Sequence, residues 1–156
     1  FFAYKYLNEL DGRVMPTLDP QVMATTGGGD TGVSLWDWQQ PRQSVSNRPF
    51  YTKLVPSKPA APVHVRFEHL NGGTYHLQAF RTGYRHNDAY SAYIDMGLPK
   101  TLDQAQLRKL QQLTRDLPVI DRTVAVGNTG RYELDLPMQS NDVVLVKLTP
   151  ESQSKR

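Results

Sequence analysis

Fifteen carboxylates, four histidines and two tryptophans are the side chains of this chain with reach into chemistry. Most of the carboxylates fall in turns or at helix caps. Asp37 and Glu68 are the two that could work as a pair on a sugar, provided that their strands are neighbours, because a retaining glycosidase needs two carboxyls roughly 5 Å apart. The histidines, His64, His69, His76 and His86, raise the question of zinc. No HExxH spacing occurs and the first three fall on strand or turn positions, so they read as surface or cross-strand residues and no metal site is expected. Gly27, Gly28 and Gly29 follow a strand but lack the GK[ST] that would follow a phosphate-cradling loop, and they read as a hairpin loop. No G-x-S-x-G is present and cysteine is absent, which argues against covalent acyl chemistry and excludes disulfides and thiolate metal ligands.

Two aromatic groupings remain. Trp36 and Trp38 flank Asp37 at strand spacing, which places both indoles on one sheet face, where they could stack on sugar rings or pack against a core or another domain. Tyr84, Arg85, His86, Asn87 and Asp88, followed by Tyr90 and Tyr93, gather polar and aromatic groups on one excursion. This is either an interface or binding edge, or a capped helix with an aromatic face.

The elements that must position these groups follow from periodicity. Phe2, Ala3, Tyr6, Leu7 and Leu10 obey helical spacing and Gly12 suits a C-cap, so residues 1–11 read as a helix. RVMPTL, QVMATT and VSLWDWQ then read as short strands separated by Pro20 and the glycines. Residues 40–62 carry five prolines and read as an extended connector, with a short strand at Phe50–Leu54. VHVRFEHL alternates apolar and polar residues, and Asn71-Gly72-Gly73 predicts a hairpin into TYHLQAFRT. Asn87 or Asp88 can cap a short helix ended by Gly97 and Pro99, and Thr101 with Gln104 predicts a capping box ahead of a leucine-rich helix. PVIDRTVAV, RYELDLP and NDVVLVKLT return to strand, and residues 151–156 read as a frayed tail. The total is seven to nine strands in a mainly β fold, an antiparallel β-sandwich with a short helical excursion over residues 12–150.

A length of 156 residues suffices for one core, burying roughly 70% of the unfolded surface. Net charge is +3 with scattered basic residues, which does not favour nucleic acid as a partner, and no apolar run approaches the roughly 18 residues of a membrane helix. The opening Phe1, with no Met before it, suggests the tail of a longer polypeptide.

Taken in order, FFAYKYLNEL, VSLWDWQQP, RTGYRHNDAYSAYIDMGLPKTLDQAQLRKLQQL and DRTVAV resemble the C-terminal part of glycoside hydrolase family 39, including its bacterial β-xylosidases. The His-Asn-x-x-Tyr stretch running into Met96-Gly97-x-Pro99 is the most specific portion. The resemblance implies that residues 1–11 are the last helix of a truncated (β/α)₈ barrel and that the rest is the sandwich behind it. It also implies a retaining mechanism carried by two glutamates, one in an Asn-Glu-Pro motif. Asn8-Glu9 is followed by Leu10 and rides on a helix, so it is not that motif, and no catalytic residue is expected in this chain. The implied partners are the chain's own N-terminal catalytic barrel and a xylo-oligosaccharide substrate, with a homo-oligomer left open, no cofactor, and a bacterial cytoplasmic or periplasmic location. Tyr84 to Asp88 would then meet the barrel or rim its pocket. The alternative is a free-standing carbohydrate-binding or adhesion module that uses Trp36 and Trp38.

Overall fold

The computed structural model describes residues 1–27, 29–39, 46, 48 and 52–151. Of the sequence expectations, Gly28, most of the 40–51 connector including Phe50 and Tyr51, and the tail beyond Glu151 lie outside them; Thr52–Leu54 are not strand.

Alternation of apolar and polar residues builds eight strands: β1 (Arg13–Met15), β2 (Val22–Gly27), β3 (Asp30–Trp36), β4 (Val63–Phe67), β5 (Gly73–Thr82), β6 (Ile120–Val126), β7 (Tyr132–Leu136) and β8 (Val143–Pro150). They form a six-stranded antiparallel sheet in the order β1-β2-β3-β8-β5-β6 and a two-stranded sheet, β4-β7. Both glycine positions described in the β2–β3 hairpin have positive φ, Gly27 at 99° and Gly29 at 112°, a conformation that a Cβ would strain.

Every second residue of the large sheet faces the small one. Val33 and Leu35 of β3, Tyr75, Leu77 and Ala79 of β5, and Val144, Val146 and Leu148 of β8 meet Val65 and Phe67 of β4 and Leu134 and Leu136 of β7. Leu77, Val146 and Leu148 are wholly buried, each worth about 1.5–3 kcal/mol of transfer free energy.

The Asn71-Gly72-Gly73 turn does not make the expected hairpin. β4 pairs with β7 and β5 pairs with β6 and β8, so the chain crosses from the small sheet to the large one at this corner. The chain between β6 and β7 makes the same crossing beside it. Leu70 N–H donates to Gly130 O at 3.0 Å, and a Cβ on Gly130 would lie 2.6 Å from Leu70 O, so the two crossings stack only because glycine stands there. A turn motif in sequence specifies a reversal, not which strand becomes the partner.

Three helices complete the molecule. α1 (Phe2–Asn8) is shorter than the expected residues 1–11 and lies on the outer face of the large sheet. Tyr6 is wholly buried there, its ring centroid 6.3 Å from that of Phe80, and Leu10 packs onto Gly32, where any Cβ would come within 2.8 Å of Leu10 Cδ2. α2 (Ala89–Asp95) is capped by Asp88, as one of the two candidate caps required. α3 (Gln104–Leu113) has its capping box at Asp103 and Gln106 instead of Thr101 and Gln104, because an Asp directly ahead of the first turn competes better for the orphan N–H groups. None of its residues is buried, and Leu107 and Leu113 face solvent.

Candidate functional site

Asp37 and Glu68 do not form a pair. They follow strands in different sheets, since β3 lies between β2 and β8 whereas β4 pairs only with β7. Asp37 Oδ2 accepts from Gln39 Nε2 at 2.8 Å, and Glu68 pairs with Arg131 at 3.4 Å. Two of the histidines have cross-strand carboxylate partners: His64 Nδ1 lies 2.6 Å from Asp135 Oδ1 and His76 Nε2 lies 2.6 Å from Asp121 Oδ1. His76, and after it Gln78, hold the Asp121 carboxyl below its usual range. Among the described residues no group of three or more His, Asp or Glu is arranged to hold a metal ion.

The polar–aromatic excursion is internally tied. Gly83 and His86 exchange two backbone hydrogen bonds at 3.0 Å, closing a tight turn at whose tip Arg85 takes a left-handed φ of 60°. Arg85 Nη1 reaches Asp95 at 2.8 Å while its guanidinium lies 5.3 Å from the Tyr84 ring centroid, and the Tyr84 hydroxyl, followed by Asp95, keeps it firmly protonated. Asp88 accepts from Arg85 N–H and Ser91 N–H at 3.0 Å each and from the Ser91 hydroxyl, which locks the turn to the first turn of α2.

Asn87 turns inward. Its Nδ2 donates to Arg81 O at 2.8 Å and to Asp116 Oδ1 at 2.9 Å, and its Oδ1 accepts from Asp116 N–H at 3.0 Å. Asp116 also accepts from the Tyr6 hydroxyl and from Lys5 Nζ, each at 2.6 Å, so a single buried carboxylate joins α1, the excursion and the chain after α3. Burial first, then the Asp116 hydrogen bond, push the Tyr6 phenol far above its ordinary range. Sequence reading missed Asp116, since nothing in the polar stretch around it marks a buried acid.

A second buried acid lies at the other end of the excursion. Asp142 is 0% exposed, accepts from Gln139 N–H at 2.7 Å and pairs with Arg81 Nη2 at 2.9 Å. Desolvation raises its carboxyl pKa, against the opposing pull of Gln139 N–H and Arg81. Gly83 leaves it room, because a Cβ there would fall 2.0 Å from Asp142 Oδ1. The turn over residues 139–142 then clamps the chain leaving β3: Asp37 N–H donates to Asp142 O at 3.1 Å, Asn141 N–H to Asp37 O at 2.7 Å, and Gln39 N–H to Asn141 Oδ1 at 3.0 Å.

That clamp corrects the tryptophan reading. β3 ends at Trp36, so strand alternation does not extend to Trp38, which is 69% exposed. Trp38 instead lines a groove of about 680 Å³ with Tyr84, Asp88, Tyr90, Ser91, Asn141 and residues 53–58. The structure thus joins one residue of the tryptophan pair to three of the excursion, Tyr84, Asp88 and Tyr90, and leaves Trp36, Arg85, His86, Asn87 and Tyr93 off the groove lining. A larger cleft of about 970 Å³ opens between β4 and the β1–β3 half of the large sheet, which the narrow second sheet does not cover.

No family model matches the chain, and no curated protein does. Solved structures do. A GH39 enzyme from Xanthomonas axonopodis pv. citri is 53% identical with a TM-score of 0.92, covering 96% of this chain and 30% of that one. A monomeric β-xylosidase from Caulobacter crescentus CB15 is 50% identical with a TM-score of 0.91, covering 97% and 30%, and a GH39 β-xylosidase from Caulobacter crescentus is 40% identical with a TM-score of 0.70, covering 96% and 27%. Two antiparallel sheets with a helical excursion, so matched, define a β domain of a glycoside hydrolase. Over nearly its whole length the chain corresponds to the C-terminal part of glycoside hydrolase family 39 enzymes, β-xylosidases among them. It spans under a third of the length of those solved structures.

Proposed function

We propose that this chain is the accessory C-terminal β-sandwich of a retaining β-xylosidase, whose parent polypeptide releases xylose from β-1,4-linked xylo-oligosaccharides through a preceding (β/α)₈ barrel. The observation that carries this is the coverage: identity of 50–53% extends along almost all of this chain but only 30% of the relatives. Barrel chemistry sits at the C-terminal ends of barrel strands, and the two sheets here are antiparallel. The two carboxylates best placed in sequence for glycoside cleavage, Asp37 and Glu68, follow strands of different sheets and are each bonded to another side chain. In this reading α1 is the last barrel helix, fastened to the sandwich by Tyr6 and Asp116, and the exposed Arg85 and His86 meet the barrel or rim its pocket.

The test compares this chain alone with a polypeptide in which the region encoded upstream is restored. Release of nitrophenol from an aryl β-xyloside is expected only from the longer polypeptide. Turnover by the chain alone, abolished by Asp37→Asn or Glu68→Gln, would defeat the proposal. In the longer polypeptide, Arg85→Ala with His86→Ala should lower the melting temperature or alter assembly.

A further inference from the structure

We propose that the groove between Trp38 and Tyr84 is a sugar-binding site for a short β-1,4-linked pentose chain, with Trp38 as its stacking platform. A pyranose ring presents a flat C–H face and a rim of hydroxyls, so a site for it needs an open aromatic surface beside hydrogen-bonding groups. The groove has both. Trp38 exposes 69% of its surface, a large solvent cost for an indole, and Tyr84 stands on the lining with it. Asn141 accepts from Gln39 N–H through Oδ1, and among the described residues its Nδ2 has no acceptor, while Lys53 and Lys58 add ammonium donors on flexible stems. Asp88 lines the groove but is consumed by its cap bonds to Ser91, so it is not offered to a ligand.

The platform is also rigid. Backbone bonds on either side of Trp38, from Asp37 to Asp142 and Asn141 and from Gln39 to Asn141, hold its main chain to the 139–142 turn, so stacking would not have to order a loose loop first. A volume of about 680 Å³ is within the range of small-ligand sites. The choice of a pentose chain rests on the xylosidase reading above; the choice of a sugar rests on the groove.

The experiment titrates xylohexaose into this chain and follows tryptophan fluorescence and amide chemical shifts, with maltohexaose as the comparison. Only two tryptophans contribute, so the signal is local. Saturable binding with a dissociation constant on the order of 1 mM is expected, with shifts at Gln39, Tyr84 and Asn141. Trp38→Ala should weaken it by at least about tenfold, whereas Trp36→Phe should leave it unchanged; circular dichroism melts confirm that both variants fold. No response up to millimolar xylohexaose, or full binding by Trp38→Ala, overturns the site while leaving the accessory-domain reading intact. Equal affinity for maltohexaose overturns the pentose assignment, and with it a support of that reading.

Discussion

Asn87 and Asp116 hold each other in both directions: the Asn87 amide donates to the Asp116 carboxylate at 2.9 Å and the Asp116 backbone N–H donates back to the Asn87 carbonyl at 3.0 Å. Both residues take left-handed φ values, 47° and 53°. Such a conformation costs roughly 1–3 kcal/mol at a non-glycine residue and survives only where the surroundings over-determine it.

Asn87→Ala should therefore be costly for a half-buried residue. It removes three hydrogen bonds and leaves Asp116 N–H and Arg81 O to find water, so a loss of about 2–4 kcal/mol is expected. Urea unfolding measures it. A loss below about 1 kcal/mol would mean that α1 and the excursion are not coupled through this pair.

Tyr6→Phe should cost about 1–2 kcal/mol at neutral pH by deleting the hydroxyl bond to Asp116. It should also flatten the alkaline limb of stability. The folded phenol pKa is raised above its unfolded value, so its contribution is complete below about pH 10 and is lost as pH rises beyond that. Lys5, also raised by Asp116, acts in the same direction. Denaturant midpoints between pH 8 and pH 11 compare the two proteins, and parallel curves would count against the assignment.

Asp142 has the opposite acid–base character from a surface carboxylate. Its folded pKa lies above the unfolded one, so between the two the folded state binds the extra proton and this group's contribution to stability falls as pH rises. Arg81→Leu should leave the buried charge without its cation and cost about 3–5 kcal/mol at pH 7. At pH 4 the loss should be smaller because Asp142 is closer to taking up a proton. An equal loss at both pH values would contradict the pairing.

Gly83→Ala tests the same corner by shape. The added methyl would fall 2.0 Å from Asp142 Oδ1, in a carboxylate that Arg81 and Gln139 hold in place. A cost of about 2–4 kcal/mol is expected in thermal or urea unfolding.

VHVRFEHL was legible because a half-buried sheet imposes a period of two, and NDVVLVKLT because a short β-branched apolar run bounded by turn residues suits a strand buried on both faces. Partner choice was not legible. Asn71-Gly72-Gly73 has the composition of a hairpin turn, yet the crossing is decided by Leu70 and Gly130, some sixty residues apart in sequence. The same distinction runs through the site. Asp88 was readable as a cap from its neighbours alone, and the excursion was readable as polar and aromatic. Asp116 and Asp142 were not, because burial of an acid depends on what the rest of the fold brings to it: Tyr6 and Lys5 from one end of the chain, Arg81 from its middle. Trp38 was noticed for its type and misplaced by an assumed strand that ends two residues earlier.

The stacked crossings at Leu70 and Gly130 make β4 with β5, and β6 with β7, the two arms of one long ribbon bent over at an elbow. Zipping the inner arms, Gly73 against Val126 onward, delivers the outer ones to each other already aligned. A ladder of two strands that would be marginal by itself is thus inherited from its neighbour, and whatever is spliced between Thr82 and Ile120 can grow or shrink without disturbing the alignment. The helical excursion, α2 and α3, occupies that gap.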